Sequence, residues 1–137
     1  MSKYNSQKIT QDGICFDSKD EFKYYEALKD MKAKGLIHSF ELQPKFTLIP
    51  SFKKNNKTYR AITYIADFIV YTLDGQEIVI DVKGMKTDVF KIKHKLFEYF
   101  YPDKTLKLVA RSLKYGDRYG FIDYDELQKI RKKKRKW

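Results

Sequence analysis

The order of helical and strand periodicities along the chain predicts a mixed α/β fold, a sheet with helices packed on it. Three observations lead there. Two long stretches, around residues 18–34 and 88–101, read as helices, the first opening at a capping signal and both ending at helix-stop residues. Between them lie runs rich in β-branched and aromatic residues, the last two joined across Asp74-Gly75. The length of 137 residues suits one domain with one core, which needs neither a disulfide nor a structural metal to fold.

Ile9 to Phe16 reads as an extended stretch turning at Asp12-Gly13. A helix is expected from Ser18 to just before Gly35. Ser18 and Glu21 have capping-box spacing, and Gly35 suits the left-handed backbone that closes a helix. Ile37–Leu42 and Phe46–Ile49 are expected strands punctuated by Pro44 and Pro50, and Ser51–Lys57 is expected to be a polar, basic loop. Tyr59 to Thr72 reads as one strand that returns through Asp74-Gly75 as Glu77 to Lys83. A second helix follows from about Asp88 to Tyr101, stopped by Pro102, with Val89, Ile92, Leu96, Tyr99 and Phe100 as its core stripe. Leu106 to Ala110 looks like a buried strand. A last helix starts near Asp123, which has capping-box spacing with Glu126. The expected division is a body of residues 1–125 and a basic C-terminal helix or tail of residues 126–137.

Charge narrows the function classes. The chain holds 29 basic and 18 acidic residues, a net charge of +11. Residues 126–137 carry +6 of it, so the body keeps +5. Such an excess on a small domain points to a polyanion, with nucleic acid as the leading partner over a membrane surface. Cys15 is the single cysteine, no apolar run is long enough to span a membrane, and MSKYNSQKIT lacks a signal-peptide core. A soluble, cytoplasmic protein is expected. His38 and His94 have no cysteine companions for a zinc site, no serine or cysteine is paired with a histidine, and phosphate-cradling glycine patterns are absent.

The chemistry is concentrated between Tyr64 and Gly84. Asp67 and Asp81 each interrupt an apolar strand, and Lys83 follows Asp81 by two residues, so those two share a face. A charge inside such a strand is costly unless it is paired or binds a metal. Register decides whether Asp67 joins them. A two-residue turn at Asp74-Gly75 would put the aspartates on opposite faces. A three-residue loop, Leu73-Asp74-Gly75, sets Asp67 opposite Asp81 and gathers Phe68, Val70, Ile78, Ile80 and Val82 on one apolar face. The three-residue loop is the predicted register. Two facing carboxylates suit a hard divalent cation such as Mg²⁺, with Lys83 orienting water or offsetting developing charge. Glu21 lies in the apolar stripe of its helix with Tyr24, Tyr25 and Leu28. It has two compatible roles there, helix capping and a place in the site.

A glutamate on the first helix, then Ala66-Asp67, then Asp81-Val82-Lys83, resembles the PD-(D/E)XK nuclease superfamily, with alanine in place of the motif's proline. More closely, FDSKDEFKYY, ELQPKF, YIADF and DVKGMKT look like a phage-encoded family catalogued as domain of unknown function 1064. The resemblance spans most of Gly13 to Tyr101. It implies a restriction-endonuclease-like αβββαβ core and Mg²⁺-dependent hydrolysis of DNA phosphodiesters, with Mn²⁺ able to substitute. It makes Glu21, Asp67, Asp81 and the Val82 backbone carbonyl metal ligands and Lys83 the catalytic lysine. Within the superfamily the resemblance is nearest to Holliday-junction resolvases and to transposon-end or mismatch nucleases, whose shared motifs do not separate them; a junction resolvase would act as a homodimer on branched DNA. A sequence- or mismatch-directed nicking enzyme and a non-catalytic DNA-binding module are the alternatives. Lys53, Lys54, Lys57, Arg60, Lys93, Arg131, Lys132, Lys133, Lys134, Arg135 and Lys136 are the candidate DNA contacts. Gln43 and Lys93 also have plain structural readings, as a satisfied amide and as a side chain snorkelling from the core edge.

Overall fold

Ser18 starts the first helix in the computed structural model, which describes residues 8–135. In chain order these form β1 (Ile9–Gln11), β2 (Ile14–Phe16), α1 (Lys19–Ala33), β3 (Ser39–Leu42), β4 (Lys45–Ile49), β5 (Phe52–Lys54), β6 (Lys57–Tyr59), β7 (Ile62–Ile65), β8 (Phe68–Tyr71), β9 (Glu77–Val82), α2 (Asp88–Phe100), β10 (Thr105–Arg111), β11 (Phe121–Asp123) and α3 (Tyr124–Arg135). The capping signals work as their chemistry implies. The Glu21, Phe90 and Glu126 N–H groups donate to the side chains of Ser18, Thr87 and Asp123, each at 3.0 Å. Gly35, past the end of α1, has φ +72°.

The central sheet is mixed, in the order β11-β10-β9-β8-β3. β9 and β10 run parallel because α2 supplies the long crossover between them, and the other neighbours are antiparallel. One face packs Phe68, Val70 and Ile80 against Tyr24, Tyr25 and Leu28 of α1, with Phe16 and Phe121 beside them. The other packs Ile69, Val79 and Leu108 against Phe90 and Phe97 of α2, with Phe46, Leu48 and Tyr64. α3 is anchored by fully buried Leu127 and starts at Tyr124, so residues 125 and 126 both lie in its first turn. Among the described residues no helix is long and apolar enough to cross a membrane.

The structure corrects the sequence reading at three places. Ser51–Lys57 is not a loop: β5 pairs with β6 across Asn55-Asn56. Those asparagines have φ +53° and +60°, the left-handed pair whose twist suits a tight hairpin. Tyr59–Thr72 is not one strand, because β7 ends at Ile65 and β8 begins at Phe68. The pairing nonetheless continues across the break. Leu42 opposes Phe68, Lys45 opposes Ile65, and between them the Gln43 and Ala66 N–H groups donate to the Asp67 and Pro44 carbonyls. Residues 39–54 and 57–71 thus form one long two-stranded ribbon, bent where Gln43-Pro44 faces Ala66-Asp67. Pro44 has no N–H for the ladder and Gln43 sits at φ +53°, so regular pairing cannot pass. The facing slips there too, since Tyr64, Ala66 and Ile69 share one core cluster.

The third correction is to α2. Val89, Ile92, Tyr99 and Phe100 are 63%, 63%, 76% and 48% exposed, and Leu96 is half-buried. The helix has two apolar faces, and the one carrying Phe90 and Phe97 takes the sheet. The Phe97 ring lies 5.0 Å from that of Phe46 and 5.6 Å from that of Tyr64. Phe97 meets both rings edge-on there, a contact that adds to the area it buries. Short β11 was not foreseen either.

Candidate active site

The turn at Asp74-Gly75 sets the register that builds the site. The Thr72 N–H donates to the Gln76 carbonyl at 2.9 Å, and Gly75 has φ +86°. Tyr71 opposes Glu77 and Phe68 opposes Ile80, so the loop is Leu73-Asp74-Gly75 and Asp67 falls opposite Asp81. This is the predicted register. Asp67 sits at the ribbon's bend, where its N–H donates to the Ile80 carbonyl and its carboxylate accepts the Val82 N–H at 2.8 Å. A side chain here extends the ladder one step beyond the last regular pair and aims the carboxylate at β9.

Asp81 is 3% exposed and held from two sides. The Tyr64 hydroxyl donates to its Oδ2, and the Lys83 ammonium lies 3.2 Å from its Oδ1. Lys83 also sits over the Phe90 ring, 4.0 Å from the centroid, while its own N–H donates to the Val109 carbonyl. Its position is therefore set by an ion pair, an aromatic face and the parallel ladder. Burial, then the adjacent Asp81 charge, pushes the Asp67 carboxyl well above the usual carboxylate range. Glu21, 4% exposed, is pushed up to about 7 by burial, then by the charge of Asp17, with Asp81 adding to it and Lys83 opposing.

Of the expected ligands, Asp67 and Asp81 are brought together. Glu21 comes within electrostatic reach of them, and Val82 lies between Asp81 and Lys83 with its N–H on Asp67. Among the described residues no three acidic, histidine or cysteine side chains form a ready-made metal cluster. Lys53, Lys54, Lys57 and Arg60 are exposed at the far end of the ribbon, and Lys93 is half-buried on α2. Arg131, Lys132, Lys133, Lys134 and Arg135 are exposed on α3, where Arg131, Lys134 and Arg135 line a shallow groove with Tyr115 and Gln128. Lys136 lies outside the described residues. The sequence reading missed Tyr64 and Phe90 as supports of the site. The one available signal was an aromatic residue three positions before Asp67 in the same apolar run.

Fold and site define a small mixed α/β protein with a buried aspartate, a half-buried aspartate facing it, and a lysine at the carboxyl end of a parallel strand. The chain belongs to the family described as protein of unknown function (DUF1064), whose model matches residues 1–117. That match takes in Glu21, Asp67, Asp81, Lys83 and the whole ribbon, and leaves α3 outside. Among curated proteins the sequence finds no significant match.

Proposed function

We propose that this protein is a Mg²⁺-dependent DNA endonuclease of the PD-(D/E)XK type, structure-selective in the manner of a junction resolvase. The observation that carries the reading is Asp67, just ahead of β8, facing Asp81 of β9, with Lys83, just past β9, paired to Asp81. The succession α1, β3, β8, β9, α2, β10 supports a restriction-endonuclease-like core, since it follows the αβββαβ order with one parallel pair.

The residues fit a hard cation. Their donors are all oxygen, and the Asp67 carboxyl, raised by burial and by the Asp81 charge beside it, is relieved by a divalent charge. Asp67 and Asp81 would hold it, with Glu21 and the Val82 carbonyl as further donors and Mn²⁺ as a substitute. The chemistry such an ion supplies is Lewis acidity at a phosphodiester. The chain's own part is preorganisation. Tyr64 and Lys83 fix Asp81, the Val82 N–H fixes Asp67, and the Lys83 ammonium stands ready against negative charge developing on a phosphate.

The test is cleavage of labelled four-way junction, nicked duplex, linear duplex and single strand, with Mg²⁺, Mn²⁺ or chelator. Metal-dependent cutting, preferring the junction and lost in both Asp81→Asn and Lys83→Ala, is expected. Discrete bands on linear duplex would instead mark a sequence-directed enzyme. Binding without cleavage under either metal would overturn the enzymatic reading.

A further inference from the structure

We propose that the tip of the long ribbon, β5 and β6, grips an unpaired nucleic-acid strand beyond the cutting site. This deepens the nuclease reading and rests on it for the identity of the ligand as a polynucleotide substrate. Every residue from Pro50 to Ile62 is exposed, so the tip projects with neither face packed on the body. An exposed two-stranded hairpin gains little stability of its own. Its side chains are nonetheless sorted. Phe52 opposes Tyr59 and Lys54 opposes Lys57, which puts two rings and two ammonium groups on one face. The rings stack on each other at 4.8 Å and 11°, yet remain 48% and 39% exposed. Lys57 also lies 5.4 Å from the Tyr59 centroid.

Lysines directly opposite one another destabilise a strand pair, and among the described residues no carboxylate pairs with either. No acidic residue occurs between Glu41 and Asp67, while Lys45, Lys53, Lys54, Lys57 and Arg60 do. Among the described residues Lys53, Lys54, Lys57 and Arg60 enter no ion pair. An anion between the lysines relieves the repulsion, and an exposed ring beside them offers a π-face to a base. Phosphate and base together are the chemistry of a polynucleotide, and a base is free to stack on a side chain when its strand is unpaired. Strand geometry sets the span. At about 3.3 Å per residue, Tyr59 lies up to roughly 26 Å along the ribbon from Asp67, or about eight nucleotides of B-form rise.

The experiment measures binding of the full chain, in chelator, to fluorescent thirty-nucleotide oligo(dT) and to a thirty-base-pair duplex. Phe52→Ala/Tyr59→Ala should weaken oligo(dT) binding by about 5- to 150-fold, the range for losing one stacked base, and duplex binding by less than threefold. Lys54→Gln/Lys57→Gln should lower the slope of log K against log salt on oligo(dT) by about 1.4. Unchanged oligo(dT) affinity in the ring variant, or an equal loss on both ligands, overturns the proposal, as does an unchanged salt slope in the lysine variant. The nuclease reading fails separately. If no protein cuts with metal yet both variants lose oligo(dT) as expected, the grip stands without the enzyme. If cutting persists with unaltered oligo(dT) binding, the enzyme stands without the grip.

Discussion

Glu21→Gln should make the metal-free protein more stable, and only above about pH 5. The carboxyl is 4% exposed and raised from 4.5 to about 7, chiefly by burial. A raised folded-state value means that Glu21 contributes its full stability below pH 4.5, where it is protonated in both states. That contribution is lost as pH rises through about 7, because the folded chain must then ionise a buried acid or hold a proton the unfolded chain has released. At 1.36 kcal/mol per pH unit the loss approaches about 3 kcal/mol at pH 8, and water at the mouth of the site reduces it to about 2. Glutamine keeps the shape and an acceptor oxygen but does not titrate. Thermal melts in chelator should therefore show equal stability of the two proteins near pH 4. By pH 8 the variant should melt higher by about 4–8 °C, at about 2–4 °C per kcal/mol for a chain near this size. A variant that is less stable at pH 8, or whose advantage is the same at pH 4, would refute the account of Glu21 as a destabilising acid held for function.

Two further predictions use the same melts. Asp67→Asn, which retains an acceptor for the Val82 N–H, should raise stability in chelator by about 1–3 kcal/mol by removing one of two facing carboxylates. Added Mg²⁺ should then raise the melting temperature of the wild type and leave the variant unmoved, and an equal response in both would take Asp67 out of the ligand set. On α2, Phe97→Ala should cost about 3–5 kcal/mol because the ring is fully buried. Ile92→Asp, at a position 63% exposed, should change stability by less than about 1 kcal/mol. Comparable losses in the two would restore the helix face read from the sequence.

Much of this protein is legible in short-range chemistry. Ser18, Gly35, Pro102 and Asp123 mark helix ends because an N-cap oxygen, a left-handed glycine or a missing N–H acts within one turn of chain. The meeting of Asp67 and Asp81 is legible as well, because a glycine at the third loop position selects one register and strand alternation carries it six residues to the pair.

Only tertiary structure decides what depends on competition between surfaces. Both faces of α2 satisfy a helical period, and the choice between them was made by the cavity that Phe46 and Tyr64 offer to Phe97. The bend at Gln43-Pro44 and Ala66-Asp67 arises between strands more than twenty residues apart, so a reading along one strand sees an unbroken β run. That bend slips the facing of the ribbon, turning Tyr64 toward Asp81 and leaving Asp67 at a point where its side chain replaces a ladder bond. Sequence determines which groups are present and how each short segment starts, turns and stops. Packing determines which of two permitted faces is buried, because burial free energy depends on the partner surface and that surface comes from elsewhere in the chain.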